Sequence, residues 1–247
     1  MAHLKLMGGL SLDSRDFTQP KPLLLLAYLA LEGAQQRRHL AELFWRDGHR
    51  MKSLSMTLTR LRQGAGAVIA SDDHRAWSTS SSDAADLIAA LNQGDWRRAV
   101  DLYDGAFLDG VELPHWQPEL EDWVLETREY LAARVQHALM KLGEESARRG
   151  DHAAGAALAH RALRLAGAGA TELALLERGY RLLVTAGHGR ASHVRRELLA
   201  LRAANDPNLL PPVTKPRPIT WAPARQRASH RQHRGLRLRG ARRRLGK

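Results

Sequence analysis

The chain has 247 residues, no cysteine and a formal net charge of +12, so it is long enough for one large or two ordinary domains. The lack of cysteine excludes disulfides, thiolate zinc sites and cysteine nucleophiles. The longest apolar run, Leu23 to Leu31, is too short to span a bilayer and is wrongly placed for a signal peptide, so we expect a cytoplasmic protein without membrane contact.

The positive charge lies at the end of the chain. Residues 215–247 contain twelve Lys and Arg residues and no acidic residue, whereas residues 1–214 are neutral overall. Frequent prolines and then a lack of apolar periodicity predict a disordered tail over residues 206–247. Such a tail would attract nucleic acid without sequence preference. The alternative is that it is an out-of-frame remnant of a truncated longer protein.

The first eighty residues predict short strands, three helices and a terminal hairpin. Leucines alternate around Gly8-Gly9, which is typical of two strands and a tight turn, and Phe17-Thr18 could add a third strand. Apolar spacing and stop signals predict helices at about 21–31, 38–45 and 51–63, followed by a hairpin at 67–78.

The third predicted helix is the most informative segment of the chain. Its apolar side carries Met51, Leu54, Leu58 and Leu61. Its other side carries Lys52, Met56, Thr59, Arg60 and Gln63, with Ser55 and Arg62 on the flanks. No acidic residue occurs from His49 to Ile69. Such a face suits a DNA major groove, because cations meet phosphates while hydroxyl and amide groups reach base edges. The alternative is an ordinary solvated helix face.

Residues 81–205 predict a second, helical part. Helices are expected at about 83–91, 96–103, 118–150, 151–165, 171–187 and 190–203, with Asp83, Asp151 and Thr171 as N-caps. Gly150-Asp151 and Gly187-His188 are 37 residues apart, which is near the tetratricopeptide period. A generic helical bundle is the alternative.

Several stretches carry a resemblance to a known family. They are Leu-Leu-Leu-Leu-Ala-Tyr-Leu-Ala-Leu at 23–31, Leu-Ala-Glu-Leu-Phe-Trp at 40–45, and Ser53-Leu54 with Leu-Thr-Arg-Leu-Arg at 58–62. These stretches resemble the winged helix of bacterial transcriptional activators of the antibiotic-regulatory-protein type. That winged helix is similar to the one in OmpR-like response regulators. Gly-Asp-Trp at 94–96, Tyr-Asp-Gly-Ala-Phe-Leu-Asp-Gly at 103–110, and Trp123 with Glu126 and Arg128 resemble that family's bacterial transcriptional activation domain.

The resemblance, which covers about residues 3–205, implies a mainly α protein. It implies a winged helix-turn-helix over residues 1–80, an all-α tetratricopeptide-like domain over 81–205, and then the tail. The implied function is a sequence-specific DNA-binding transcription activator that recruits RNA polymerase and is associated with the nucleoid. A homodimer through the helical domain is a further expectation. Because no receiver domain precedes the winged helix, control by aspartyl phosphorylation is not expected.

The expected DNA contacts come from helix three and the hairpin. They are Lys52, Ser53, Ser55, Met56, Thr59, Arg60, Arg62, Gln63 and Arg75. Thr59, Gln63 and Met56 would face the groove floor, while the cations would mainly meet phosphates. By resemblance, the candidates for RNA polymerase contact are Arg46, Asp47, His49 and Arg50. Two departures from the family pattern predict DNA binding that is weak or depends on a dimer: Ser55 stands where relatives usually carry a basic residue, and the hairpin tip Asp72-Asp73 is acidic.

The sequence contains no readable catalytic arrangement. There is no phosphate-binding glycine loop. Among the twelve histidines, His188 and His193 are five residues apart and His230 and His233 three apart, but there is no His-Glu-x-x-His motif, so isolated surface histidines are the favoured interpretation over a metal site. We therefore expect neither an enzyme nor a cofactor or metal. Two rival interpretations remain: a helical-repeat interaction scaffold without specific DNA binding, and an RNA-associated protein that acts through its basic tail.

Overall fold

The computed structural model describes residues 2–13, 17–46, 48–112 and 117–204, which contain nine helices and six short strands. The expected mainly α class is confirmed for these residues. The chain divides into the units Met1–Val213 and Thr214–Lys247, and every described residue belongs to the first unit. The predicted tail over 206–247 lies outside the described residues.

The three predicted N-terminal helices are present, and their ends fall within two residues of the expected positions. They are α1 (Pro20–Glu32), α2 (Arg37–Phe44) and α3 (Arg50–Ala65). Helix α1 is buried from Pro22 through Leu29, as expected for a segment that is apolar on every side. Its buried residues belong to the main hydrophobic core, and the helix packs against α3.

Two small three-stranded sheets flank these helices. In the first, β1 (His3–Lys5) pairs antiparallel with β2 (Ser11–Leu12) and parallel with β6 (Ser81–Ser82). In the second, β5 (Arg75–Ser78) lies between β3 (Gln35–Gln36) and β4 (Ile69–Ser71), with antiparallel pairing throughout. Strands β4 and β5 form the predicted hairpin.

The strand expected at Phe17-Thr18 is wrong. These two residues have no strand pairing and lead directly into α1. The Phe17 ring instead packs over Gly64 of α3, where a Cβ atom would lie 2.6 Å from the ring. Burial of the aromatic ring against the helix therefore takes the place of strand pairing.

The second part of the chain is helical, as expected. Its helices are α4 (Asp83–Gln93), α5 (Trp96–Leu102), α6 (Pro118–Arg148), α7 (His152–Leu163), α8 (Leu173–Thr185) and α9 (Ala191–Ala204). Along the chain from α6 to α9, each helix packs against the next. In the part of the chain that the structure describes, each helix is too short or too polar to cross a membrane.

The expected cap of α4 is wrong by one residue. The side chain of Ser82, not Asp83, accepts a hydrogen bond from the backbone N–H of Ala85, at 3.2 Å. The Asp83 carboxylate instead accepts from the N–H groups of Leu6 at 2.7 Å and Met7 at 3.0 Å. Asp83 therefore connects the start of the chain to the start of the helical part.

The other two cap predictions had opposite outcomes. Asp151 caps α7 as expected, because its carboxylate accepts from the N–H of Ala154 at 2.9 Å. Thr171 does not cap α8: the residue at the cap position is Glu172, whose side chain makes no capping hydrogen bond. The connection before α8 is therefore held by other contacts.

Residues 103–110, here called the junction loop, join the N-terminal strands to the helices. The N–H of Leu108 donates to the carbonyl of Leu6 at 2.8 Å, and the N–H of Gly8 donates to the carbonyl of Ala106 at 2.9 Å. Gly8 has a φ of 75°, and a Cβ atom there would lie 2.8 Å from a backbone oxygen of the junction loop. Only glycine suits this close backbone approach.

Side chains from two other places hold the junction loop. The Arg128 guanidinium of α6 donates through Nε to the carbonyl of Phe107 at 2.9 Å and through Nη2 to that of Leu108 at 3.0 Å. The Tyr103 hydroxyl donates to the carbonyl of Ala166, between α7 and α8, at 2.6 Å. The loop therefore fixes the first strands, the long helix and the following helices to one another.

Candidate nucleic-acid interface

The helix α3 has one buried and one exposed side, as the sequence predicted. Leu54, Leu58 and Leu61 are at most 1% exposed. Met51, expected on the same apolar side, is 45% exposed, so its inward assignment is wrong. The reason is that Met51 lies in the first turn, beside an open cleft of about 570 Å³ between α2 and α3. The burial of α3 begins one turn later.

The exposed face of α3 brings several of the expected DNA contacts together. A shallow depression of about 360 Å³ is lined by Lys52, Ser55, Met56, Thr59 and Arg60. Gln63 is exposed one turn further along, whereas Ser53 is half-buried and less available. In the described part of the chain, neither Lys52 nor Arg60 forms an ion pair with a carboxylate. The face therefore offers positive charge that the described residues leave uncompensated.

The hydroxyl groups on this helix donate to its own backbone. Ser55 Oγ donates to the carbonyl of Met51 at 2.9 Å, and Thr59 Oγ1 donates to the carbonyl of Ser55 at 3.0 Å. Buried Thr57 does the same toward Ser53 at 2.9 Å. A hydroxyl has a single proton, so in this arrangement Ser55 and Thr59 can only accept further hydrogen bonds.

Arg37, which the sequence analysis missed, connects α3 to the β4–β5 hairpin. Its Nη2 donates to Ser55 Oγ at 3.0 Å, and its Nη1 donates to the carbonyl of Asp72 at 3.2 Å. Its backbone N–H also donates to the carbonyl of His74 at 2.8 Å. Nothing in the sequence around position 37 distinguishes this arginine from a solvated one, because its partners are distant in the chain.

A second arginine makes a similar connection. Arg62 was expected to meet phosphates, but its Nη2 donates to Ser71 Oγ of β4 at 2.5 Å. Its side chain is nevertheless exposed, and a guanidinium has further donors to offer. Arg62 and Arg37 therefore fix the hairpin beside the exposed face of α3.

Backbone N–H groups compensate part of the negative charge at the tip of the hairpin. The Asp72 carboxylate accepts hydrogen bonds from the N–H groups of Arg75 at 2.5 Å and His74 at 2.7 Å. These bonds hold the pKa of Asp72 below its usual range. Arg75, an expected DNA contact, is exposed on β5 directly after this turn. The tip is thus a formed turn with one cation at its base.

The candidate polymerase contacts lie near the start of α6. Arg46 Nε donates to Gln117 Oε1 at 3.3 Å, and Arg50 Nη2 donates to the carbonyl of Arg46 at 2.9 Å. His49 is exposed, and Asp47 lies outside the described residues. Gln117 also donates to the carbonyl of Trp45 at 3.3 Å. The turn between α2 and α3 is therefore attached to the helical part.

A half-buried carboxyl also joins the two parts of the chain. Trp123 Nε1 of α6 donates to Glu32 Oε1, at the end of α1, at 2.8 Å. Burial raises the pKa of Glu32, and the hydrogen bond from Trp123 opposes part of that rise. Among the residues that the structure describes, no cluster of three or more His, Asp or Glu side chains could hold a metal ion. The hydrogen bond from Trp123 makes Glu32 a structural contact between α1 and α6.

The function of the exposed face of α3 is inferred from the chemistry of the residues on that face. No protein-family model matches the chain, and no curated protein matches it. Membership of a family therefore stays a prediction made from the residues of this sequence.

Proposed function

We propose that this chain is a sequence-specific DNA-binding transcription regulator that inserts α3 into the major groove. The observation that carries the proposal is the exposed, acid-free face of α3, where Lys52 and Arg60 flank Met56 and Thr59 and no described carboxylate pairs with either cation. Cations at the rim of such a face suit phosphates, while smaller side chains between them suit base edges.

The N-terminal part is interpreted as a winged helix-turn-helix of the OmpR-like type. Three helices are followed by the β4–β5 hairpin, and Arg37 and Arg62 fix that hairpin beside α3. In this interpretation α3 is the recognition helix and the hairpin is the wing, with Arg75 as its DNA contact. Both elements would then meet the same stretch of duplex.

The helical part is interpreted as a tetratricopeptide-like domain that supports activation. The stepwise packing of α6 through α9 is compatible with such repeats. The turn with Arg46, His49 and Arg50 is our candidate contact for RNA polymerase. We further propose a homodimer through this part, a cytoplasmic location at the nucleoid, and no enzymatic activity.

The test measures DNA binding by the full chain across a salt series. We expect the double variant Lys52→Ala/Arg60→Ala to bind duplex DNA more weakly and to reduce the salt dependence by about two ions, one for each phosphate that the variant no longer neutralises. The matched control, Arg97→Ala/Arg98→Ala, removes the same charge from the exposed side of α5. Equal binding by the two double variants, with both folded, would favour the interaction-scaffold interpretation instead.

A deletion separates DNA recognition from the RNA-associated alternative. Without residues 215–247, the proposed regulator should lose affinity for all duplexes alike and keep its preference among them, because counterion release does not depend on sequence. A protein that acts only through its tail should lose all nucleic-acid binding. The measurement compares selected and random duplexes, with single-stranded RNA as a third ligand.

A further inference from the structure

An apolar patch lies at the centre of the exposed face of α3. Met56 is 47% exposed and shares the depression on this face with Thr59. Lys52 and Arg60 stand one helical turn before and after Met56, on the same side of the helix. The face therefore has cations at both ends and a thioether in the middle.

The hydroxyl groups of Ser55 and Thr59, which lie next to Met56, have no free proton to donate to a base. The proton of Thr59 Oγ1 is donated to the carbonyl of Ser55, and the proton of Ser55 Oγ is donated to the carbonyl of Met51. Ser55 Oγ also accepts from Arg37. With its hydroxyl bonded to the helix backbone, Thr59 has its γ-methyl group as the free branch of the side chain.

One base offers a matching group in the major groove. Thymine alone carries a methyl group there, whereas guanine presents two acceptors and cytosine presents an amino donor. Both G·C and T·A pairs present two acceptors and one amino donor in this groove, so for a patch without a free donor the thymine methyl group is the feature that distinguishes them. Each methyl group that an apolar contact removes from water makes the free energy of binding more favourable.

We infer that α3 selects T·A base pairs by contacting thymine methyl groups with Met56 and the γ-methyl of Thr59. The inference rests on the proposed function, because it specifies the base pair that the centre of the recognition helix prefers. Lys52 and Arg60 then act on the phosphates or bases to either side. Ser55 takes no part in reading bases and instead holds the Arg37 side chain.

The probe is a set of duplexes that the full chain enriches from a random pool. Each thymidine in an enriched duplex is replaced in turn by deoxyuridine, which differs only by the missing methyl group. We expect about fourfold weaker binding at each thymine that the patch contacts. In Met56→Ala, the same replacement at the thymine that faces residue 56 should have no effect, because the contacting group has gone.

A matched pair of variants separates the contribution of the Thr59 hydroxyl group from that of its γ-methyl group. Thr59→Val keeps the methyl group and removes the hydroxyl, and we expect it to keep the preference for thymidine over deoxyuridine. Thr59→Ser keeps the hydroxyl and removes the methyl group, and we expect the preference at that position to disappear. The opposite result would mean that the hydroxyl reads the base, which would overturn the inference.

Failure of the inference can be told apart from failure of the proposed function. If duplexes are enriched but deoxyuridine is tolerated at every position, the inference is wrong and DNA recognition stands. If no duplex is enriched above random sequence by the folded chain, the proposed function is wrong and the inference with it. Circular dichroism of each variant shows whether it is folded.

Discussion

The exposed face of α3 and the junction loop use basic side chains in opposite ways. On α3, Lys52 and Arg60 are exposed and unpaired among the described residues. At the junction loop, Arg128 donates to the carbonyls of Phe107 and Leu108 and holds the loop in place. The first region is therefore open to a ligand, whereas the second stabilises the fold.

This difference shows which structural role each of two sequence patterns has. The spacing Tyr-x-Gly-x-Phe-Leu-x-Gly at 103–110 is the more specific pattern, and the structure assigns it to internal contacts. The pattern on α3 is common among amphipathic helices, yet it lies on the surface that carries our functional proposal. The more specific pattern therefore lies in internal contacts of the fold, whereas the commoner pattern lies on the surface for which we propose a function.

The largest effect is expected from two neighbouring substitutions on α3. Leu58 is 1% exposed, so Leu58→Asp should cost about 4 kcal/mol or more and unfold the N-terminal part, because it buries an unpaired carboxylate. Exposed Thr59→Asp should change stability by about 1 kcal/mol or less and abolish DNA binding, because its charge repels phosphate. Urea unfolding and DNA titration check both. Similar melting of the two variants would contradict our assignment of the helix faces.

A smaller effect is expected at the junction loop. Arg128→Ala removes a donor from two part-buried carbonyls. That of Leu108 keeps the N–H of Val111 at 3.3 Å, so the loss falls mainly on Phe107, and the free energy of unfolding should fall by about 1–3 kcal/mol. DNA affinity should be unchanged at temperatures where the variant is folded.

The control Arg134→Ala removes exposed contacts to Asn92 and Tyr130 and should cost about 0.5 kcal/mol. If folded Arg128→Ala lost DNA binding, the junction loop would not be a purely structural region, and its contrast with the exposed face of α3 would be wrong.

The smallest effect is a pH dependence at Glu32. Its pKa is raised in the folded state, so its contribution to stability is present when it is protonated and is lost as the pH rises from its ordinary value of 4.5 through the folded value. Glu32→Gln keeps an acceptor for Trp123 and no longer titrates. The variant should therefore gain stability relative to the parent over that rise in pH.

Urea unfolding of both proteins at a series of pH values measures this difference. The control is Glu119→Gln, the same substitution at an exposed position in the first turn of α6. A relative loss of stability in Glu32→Gln as the pH rises would mean that the ionised carboxylate stabilises the fold.

Much of the secondary structure could be predicted because its signals are local. The run of leucines in α1 and the apolar spacing in α3 are read within a few residues. The errors at Phe17 and Asp83 involve contacts that are distant along the chain. Asp83 is a plausible cap by sequence, but its carboxylate binds the N–H groups of Leu6 and Met7 instead.

The candidate site was predicted only in part for the same reason. Lys52, Met56, Thr59 and Arg60 lie on the expected face because helical periodicity places them there. The bond from Arg62 to Ser71 and the position of Arg37 depend on where the hairpin folds back onto α3. Helical periodicity does not contain that information.

The position of β1 in the fold has a consequence for protein synthesis. The strand pairs with Ser81–Ser82, and the carbonyl of Leu6 accepts from Leu108, about a hundred residues later. At ribosomal speeds of roughly 5–20 residues per second, these partners follow the first strand by about 5–20 s. We therefore expect a nascent chain to complete its N-terminal part only after the junction loop has emerged, when the helical part has begun to form.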